Sequence, residues 1–200
     1  MARLSLPSEF STLLVKGPYP TAAPLDLALE CHSIILTARD SLRSLLQDRD
    51  WRLTGKISAL AERVHILYPP SAAHMALILS TLQVIDTEAP FPDTYPKHYP
   101  HLLKPPGPAL IILHDISTYF TDAHSSSTSA AYLSLVTRAI SLAARLGARL
   151  AVFDAQVNHL RMPVYPDSHL ERMQEIAPLL ENYIEHIIDF DEERANVEAE

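Results

Sequence analysis

Short apolar runs alternate with longer amphipathic stretches along most of the chain. Thr12 to Lys16 (TLLVK), Ser33 to Ala38 (SIILTA), Arg63 to Leu67 (RVHIL), Ala109 to Leu113 (ALIIL) and Arg149 to Phe153 (RLAVF) are compact and mostly aliphatic. Each is closed by Gly, Pro or a charged or polar turn, which marks a buried strand. Tyr183 to Phe190 has the composition of a last strand. ALIIL is unalternating, as in a strand covered on both faces within a parallel sheet.

The stretches between these runs carry a helical period. Leu25 to His32 reads as a short helix, and Asp40 to Glu62 as a helix interrupted near Gly55. Ser71 is placed to cap a helix whose inward stripe is Met75, Ile78, Leu79, Leu82 and Ile85. Ala130 to Leu146 has the clearest period, with Tyr132, Leu135, Val136, Ala139, Ile140, Ala143 and Leu146 on one face and Gly147 as its stop. Ser168-x-x-Glu171 is a capping box that predicts a helix running to about Leu180. Two segments break the rhythm: residues 89–108 are Pro-rich and read as a stiff connection, and Thr121 to Ser129 is a polar, Ser-rich loop.

Strand, helix, strand, helix in this order predicts an α/β fold with a mainly parallel central sheet flanked by helices. One domain is expected over residues 1–190, followed by an acidic tail at 191–200. No internal repeat is present. In such sheets ligands sit at the carboxyl ends of strands, which directs attention to the turn after TLLVK and to the end of ALIILHD.

Composition narrows the chemistry. The 200 residues contain only 4 Gly against 16 Pro. The glycines are isolated, so neither G-x-G-x-x-G nor G-x-S-x-G can be formed. The net charge of −8 disfavours autonomous tight binding to a phosphate backbone. A single cysteine, Cys31, excludes an internal disulfide, and the chain start lacks the layout of a signal peptide. No apolar run approaches the ~18–20 residues that span a bilayer. A soluble protein of a reducing compartment is expected. Among the 10 His, His98 and His101 have ligand-like spacing, but with one Cys and no H-E-x-x-H no metal is expected.

The turn after the first strand is the most informative segment. A phosphate loop reads G-x-x-x-x-G-K-[ST] between a strand and a helix, with backbone N–H groups wrapping the phosphates. Here the frame reads Gly17-Pro18-Tyr19-Pro20-Thr21-Ala22-Ala23-Pro24. Ala22 replaces the second Gly, Ala23 the Lys and Pro24 the hydroxyl residue, so no nucleotide cofactor is expected. Asp115 ends ALIILHD as the acidic residue of a Walker B strand would, and Gln156 follows RLAVFDA where a polar sensor could stand.

With these stretches, together with RVHILYPPSAAHMALIL and its Tyr68-Pro69-Pro70-Ser71 core, the chain resembles the RecA-type recombinase paralogues. Within that family it resembles the subunit of Shu-type complexes that partners a SWIM-domain protein, over roughly Leu13 to Gln156. The resemblance implies a RecA-like core with a degenerate Walker A motif. It further implies a nuclear, non-catalytic subunit for homologous recombination repair, in heterodimer with a SWIM-domain protein. That pair would bind single-stranded or forked DNA and assist filament assembly by a RecA-type recombinase.

RecA-type proteins contact DNA through loops after the later core strands. The corresponding candidates are His159, Arg161 and Tyr165, with Lys97 and Lys104 of the Pro-rich segment as a further basic patch. Leu4 to Phe10 is a candidate partner contact. Two other readings stay open: an NTPase with an atypical phosphate loop, and an α/β enzyme whose Pro-rich segment covers the site.

Overall fold

The structure, a computed structural model, describes residues 9–41, 43, 62–84, 102–103, 106–121, 127–164 and 173–190. The first half contains strand β1 (Thr12–Lys16), helix α1 (Ala23–Ala28), β2 (Ser33–Thr37), β3 (Val64–Leu67), α2 (Ala72–Thr81), β4 (Gln83–Val84) and β5 (Leu102–Leu103). Then follow β6 (Leu110–His114), a 3₁₀ turn (Ile116–Tyr119), α3 (Ser129–Leu146), β7 (Arg149–Asp154), a second 3₁₀ turn (Val157–His159), β8 (Arg161–Pro163), β9 (Met173–Glu175), α4 (Ala177–Glu181) and β10 (His186–Asp189).

Six strands form one wholly parallel sheet in the order β10-β1-β7-β6-β2-β3. Side chains alternate across it because strand residues point to opposite faces in turn. Leu14, Ile34, Leu36, Ile111, Leu113, Leu150 and Val152 pack toward α2, α3 and α4. Leu13, Val15, Ile35, Leu110, Ile112, Ala151 and Phe153 pack toward α1. The α/β class and the parallel sheet are therefore as the sequence pattern predicts.

Local chemistry fixes the helix ends. Pro69 and Pro70 keep the chain extended up to Ser71, whose side chain accepts from the N–H of His74 and opens α2. Thr128 caps α3 in the same way, accepting from the N–H of Ala131, and Gly147 ends it in the left-handed conformation at φ 64°, which glycine adopts without a Cβ penalty. The predicted α3 stripe is buried at Tyr132, Leu135, Val136, Ala139 and Ala143, with Leu142 added.

Several expectations need correction. Helix α1 begins at Ala23 and ends at Ala28, earlier than the predicted Leu25 to His32, because Pro24 is suited to a first turn. The helix expected from Ser168 to about Leu180 is replaced at Met173–Glu175 by β9, which pairs antiparallel with β8. The Arg161–Glu175 ion pair at 2.7 Å joins the two strands, and α4 then starts at Ala177 with Pro178 in its first turn. Within the Pro-rich segment, Leu102–Leu103 is a short strand parallel to β4. Gly107 allows that approach, since a Cβ there would lie 2.9 Å from Val84 Cγ2. Phe10, placed in the candidate partner segment, is buried in the core with the Arg149 guanidinium 5.0 Å from its ring centroid. The acidic tail, the capping box and most of the predicted Asp40 to Glu62 helix lie outside the described residues. Among the described residues no helix is long and apolar enough to cross a membrane.

Candidate functional site

Parallel pairing places the polar ends of neighbouring strands side by side. Lys16 is in register with Asp154 on β7 and with Asp189 on β10. Thr37 faces His114, and His114 faces Phe153. The connection from β1 leaves toward α1 on one face and that from β7 toward α4 on the other, so a crevice is expected between their carboxyl ends.

The turn 17–24 folds into that crevice. Gly17 takes φ 75°, and the turn is tightened by Tyr19 N–H donating to Gly17 O and Ala23 N–H donating to Pro20 O, both at 2.8 Å. Pro18, Pro20 and Pro24 have no N–H to give, and Tyr19 and Ala23 have spent theirs within the turn. Ala23 and Pro24 are buried as α1 starts. These residues do not fit a magnesium-bound triphosphate: three prolines bring no N–H, two further N–H groups are spent within the turn, and residues 17–24 include no Lys or Arg.

Tyr19 packs across the ends of β6 and β7. Its ring meets Phe153 edge-on at 5.3 Å and His114 at 6.5 Å, and its hydroxyl donates to Asp115 Oδ1 at 3.3 Å. Burial, then the charge of Asp115, raises the Tyr19 phenol well above its ordinary value. Asp115 itself is left-handed, φ 49° and ψ 44°, a conformation Asp tolerates better than most side chains. Thr37 Oγ1 lies 2.8 Å from His114 Nδ1. Burial lowers the His114 pKa while Asp115 pulls it up, so the ring is neutral at neutral pH and its 3.6 Å approach to Asp115 is not an ion pair. A proton on Nε2 suits both neighbours, because Thr37 can then donate to Nδ1 while Nε2–H faces the carboxylate.

Beneath this layer Asp154 is fully buried. It accepts from Ser117 N–H (2.9 Å), Ser117 Oγ (2.7 Å), Tyr132 Oη (2.8 Å) and Gln156 N–H (3.2 Å). Burial pushes its carboxyl up to about 6, although the Ser117 and Tyr132 hydrogen bonds pull down. The cluster ties the end of β7 to the turn after β6 and to α3. Lys16 is buried beside it and pairs with Glu181 Oε1 at 2.7 Å and Asp189 Oδ2 at 2.8 Å. Burial alone would lower its pKa; the hydrogen bonds and charges of Asp189 and Glu181 outweigh that and raise it. The Tyr-Pro-Pro-Ser stretch also reaches the site, since Tyr119 Oη donates to Pro69 O at 2.7 Å.

The crevice therefore brings together the turn 17–24 and Asp115, with the backbone of Gln156 at its floor. The Gln156 side chain is exposed, as are His159 and Arg161, and Arg161 is engaged by Glu175. Lys97, Lys104 and Tyr165 lie outside the described residues. Lys16, Tyr19, His114, Ser117, Tyr132 and Asp154 were not singled out as site residues by the sequence reading. Three signals were available: a Lys and a second Asp that end aliphatic strands, and a Tyr in a buried stripe that needs a partner for its hydroxyl. Among the described residues no cluster of three or more His, Cys, Asp or Glu is arranged to hold a metal ion. No protein-family model and no curated protein matches the chain.

Proposed function

We propose that the chain is a RecA-like subunit that works without nucleotide chemistry. In this reading it is the SWIM-partnered member of a Shu-type complex and helps a RecA-type recombinase assemble its filament on single-stranded or forked DNA in homologous recombination repair. The observation that carries it is the Tyr19–Asp115 contact. In this reading the turn standing where a phosphate loop belongs closes on the carboxylate standing where a Walker B acid belongs, and Asp115 is engaged by Tyr19. Strand order supports the same reading, because β7, which leads into Gln156, lies between the strand of that turn and the strand of Asp115.

With Arg161 paired to Glu175, the described residues offer little free positive charge near Gln156, and in this reading the partner supplies much of the DNA-binding surface. Co-expression with a SWIM-domain protein tests the proposal. A complex that co-purifies without nucleotide and survives chelation of divalent cations is the expected result. Failure of the two chains to associate under those conditions would contradict it.

A further inference from the structure

The chain carries 24 Asp and Glu, yet neither α2 (AAHMALILST) nor α3 (SAAYLSLVTRAISLAARL) contains one. These helices pack against each other on the same face of the sheet, so together they present a surface to which neither helix contributes a carboxylate. Leu77 stands 60% exposed on it, while Met75 and Leu79 on either side are buried.

Arg138 and Arg145 are exposed on α3, seven residues or ~10 Å apart along its axis. Both are held by neutral acceptors on the neighbouring helix or its cap. Arg138 Nη1 donates to Ser80 Oγ at 2.7 Å and Arg145 Nη2 to Leu82 O at 2.8 Å. Among the described residues neither takes part in an ion pair. Each guanidinium is thus oriented in advance and keeps its full charge and further N–H donors for an anion.

We propose that the outer face of α2 and α3 is a docking surface for an acidic segment of a protein partner, which seats an apolar side chain on Leu77 and carboxylates on Arg138 and Arg145. Exposed Leu and Arg without Lys, Asp or Glu match the depletion of charged residues other than Arg at an interface centre. A second copy of this chain does not fit, because a two-fold contact would set guanidinium against guanidinium with no carboxylate from either helix. A nucleic-acid backbone fits less well, since two guanidiniums ~10 Å apart along one helix, with His74 the one exposed ring on α2 and α3, make a poor phosphate groove. The occupant is the SWIM-domain protein proposed above, on which this docking site therefore rests.

Binding of the full chain to the SWIM-domain protein, measured at low and high salt, is the test. Leu77→Asp and the Arg138→Glu/Arg145→Glu pair should each weaken association about tenfold or more, and the second should remove much of the salt dependence. Tyr183→Asp, near β10, should leave it unchanged. Parent-like binding by both α2–α3 variants would overturn the docking site and leave the choice of partner standing. No binding by the parent chain would remove both. Variants that keep the protein complex but lose an oligothymidylate strand would make this face a nucleic-acid surface and likewise overturn the proposal.

Discussion

Tyr19 donates its hydroxyl to Asp115 across 3.3 Å, joining the turn after β1 to the end of β6 over 96 residues of chain. The acceptor residue is held at φ 49°, a backbone state that Ala adopts at a cost of ~1 kcal/mol and Gly adopts freely. Asp115→Ala and Asp115→Gly both remove the contact, but the Gly variant should be the more stable by about 1 kcal/mol in chemical denaturation. Equal stability would deny the left-handed conformation.

Asp154 gives a pH signature. Its folded carboxyl titrates at about 6, above its ordinary 3.8, so the folded state holds a proton that the unfolded chain has already released. Its contribution is complete below pH ~4 and is lost as pH rises toward 6, by up to roughly 3 kcal/mol. His114 and His65, both lowered by burial, tilt the other way, so variant must be compared with parent. Asp154→Asn should remove this fall from the unfolding free energy between pH 4 and 6. A parallel pH profile for the two proteins would contradict the assignment.

Lys16 holds two carboxylates at the end of β1. Lys16→Met removes the ammonium shared by Glu181 and Asp189, the latter with only 10% of its side chain exposed, and should cost about 3–5 kcal/mol. Adding Glu181→Gln and Asp189→Asn should recover a large part of that loss. Additive destabilisation across the three changes would show that the residues do not act as a unit.

Tyr119→Phe deletes the hydroxyl that holds Pro69 O. A loss of about 1 kcal/mol is expected, with increased hydrogen exchange in the first turn of α2, because that carbonyl lies just before the Ser71 cap. An unchanged exchange profile there would separate the Tyr-Pro-Pro-Ser stretch from the site.

The pattern of aliphatic runs was enough to place all six strands of the main sheet, most clearly the four inner ones, because buried parallel strands need uninterrupted apolar sequence. The two-residue pairing of Val84 with Leu103 could not be read in the same way, since two residues carry no period and the contact depends on Gly107. Asp115 and Gly17 were legible as strand-end residues. That Tyr19 would lie over Phe153 and reach Asp115 was not, because it depends on the register that sets β1, β7 and β6 side by side. Asp154 resembled any strand-terminal Asp until Ser117 and Tyr132 converged on it from two other elements.

Titration calorimetry of the purified chain with Mg-ATP, repeated on its complex with the SWIM-domain protein, tests the central claim most directly. With three loop N–H groups absent and Tyr19 closed on Asp115, neither sample should give a saturable heat, and the melting temperature should not move at nucleotide concentrations far above any physiological Kd. A saturable, magnesium-dependent heat that disappears in Asp115→Ala would contradict it.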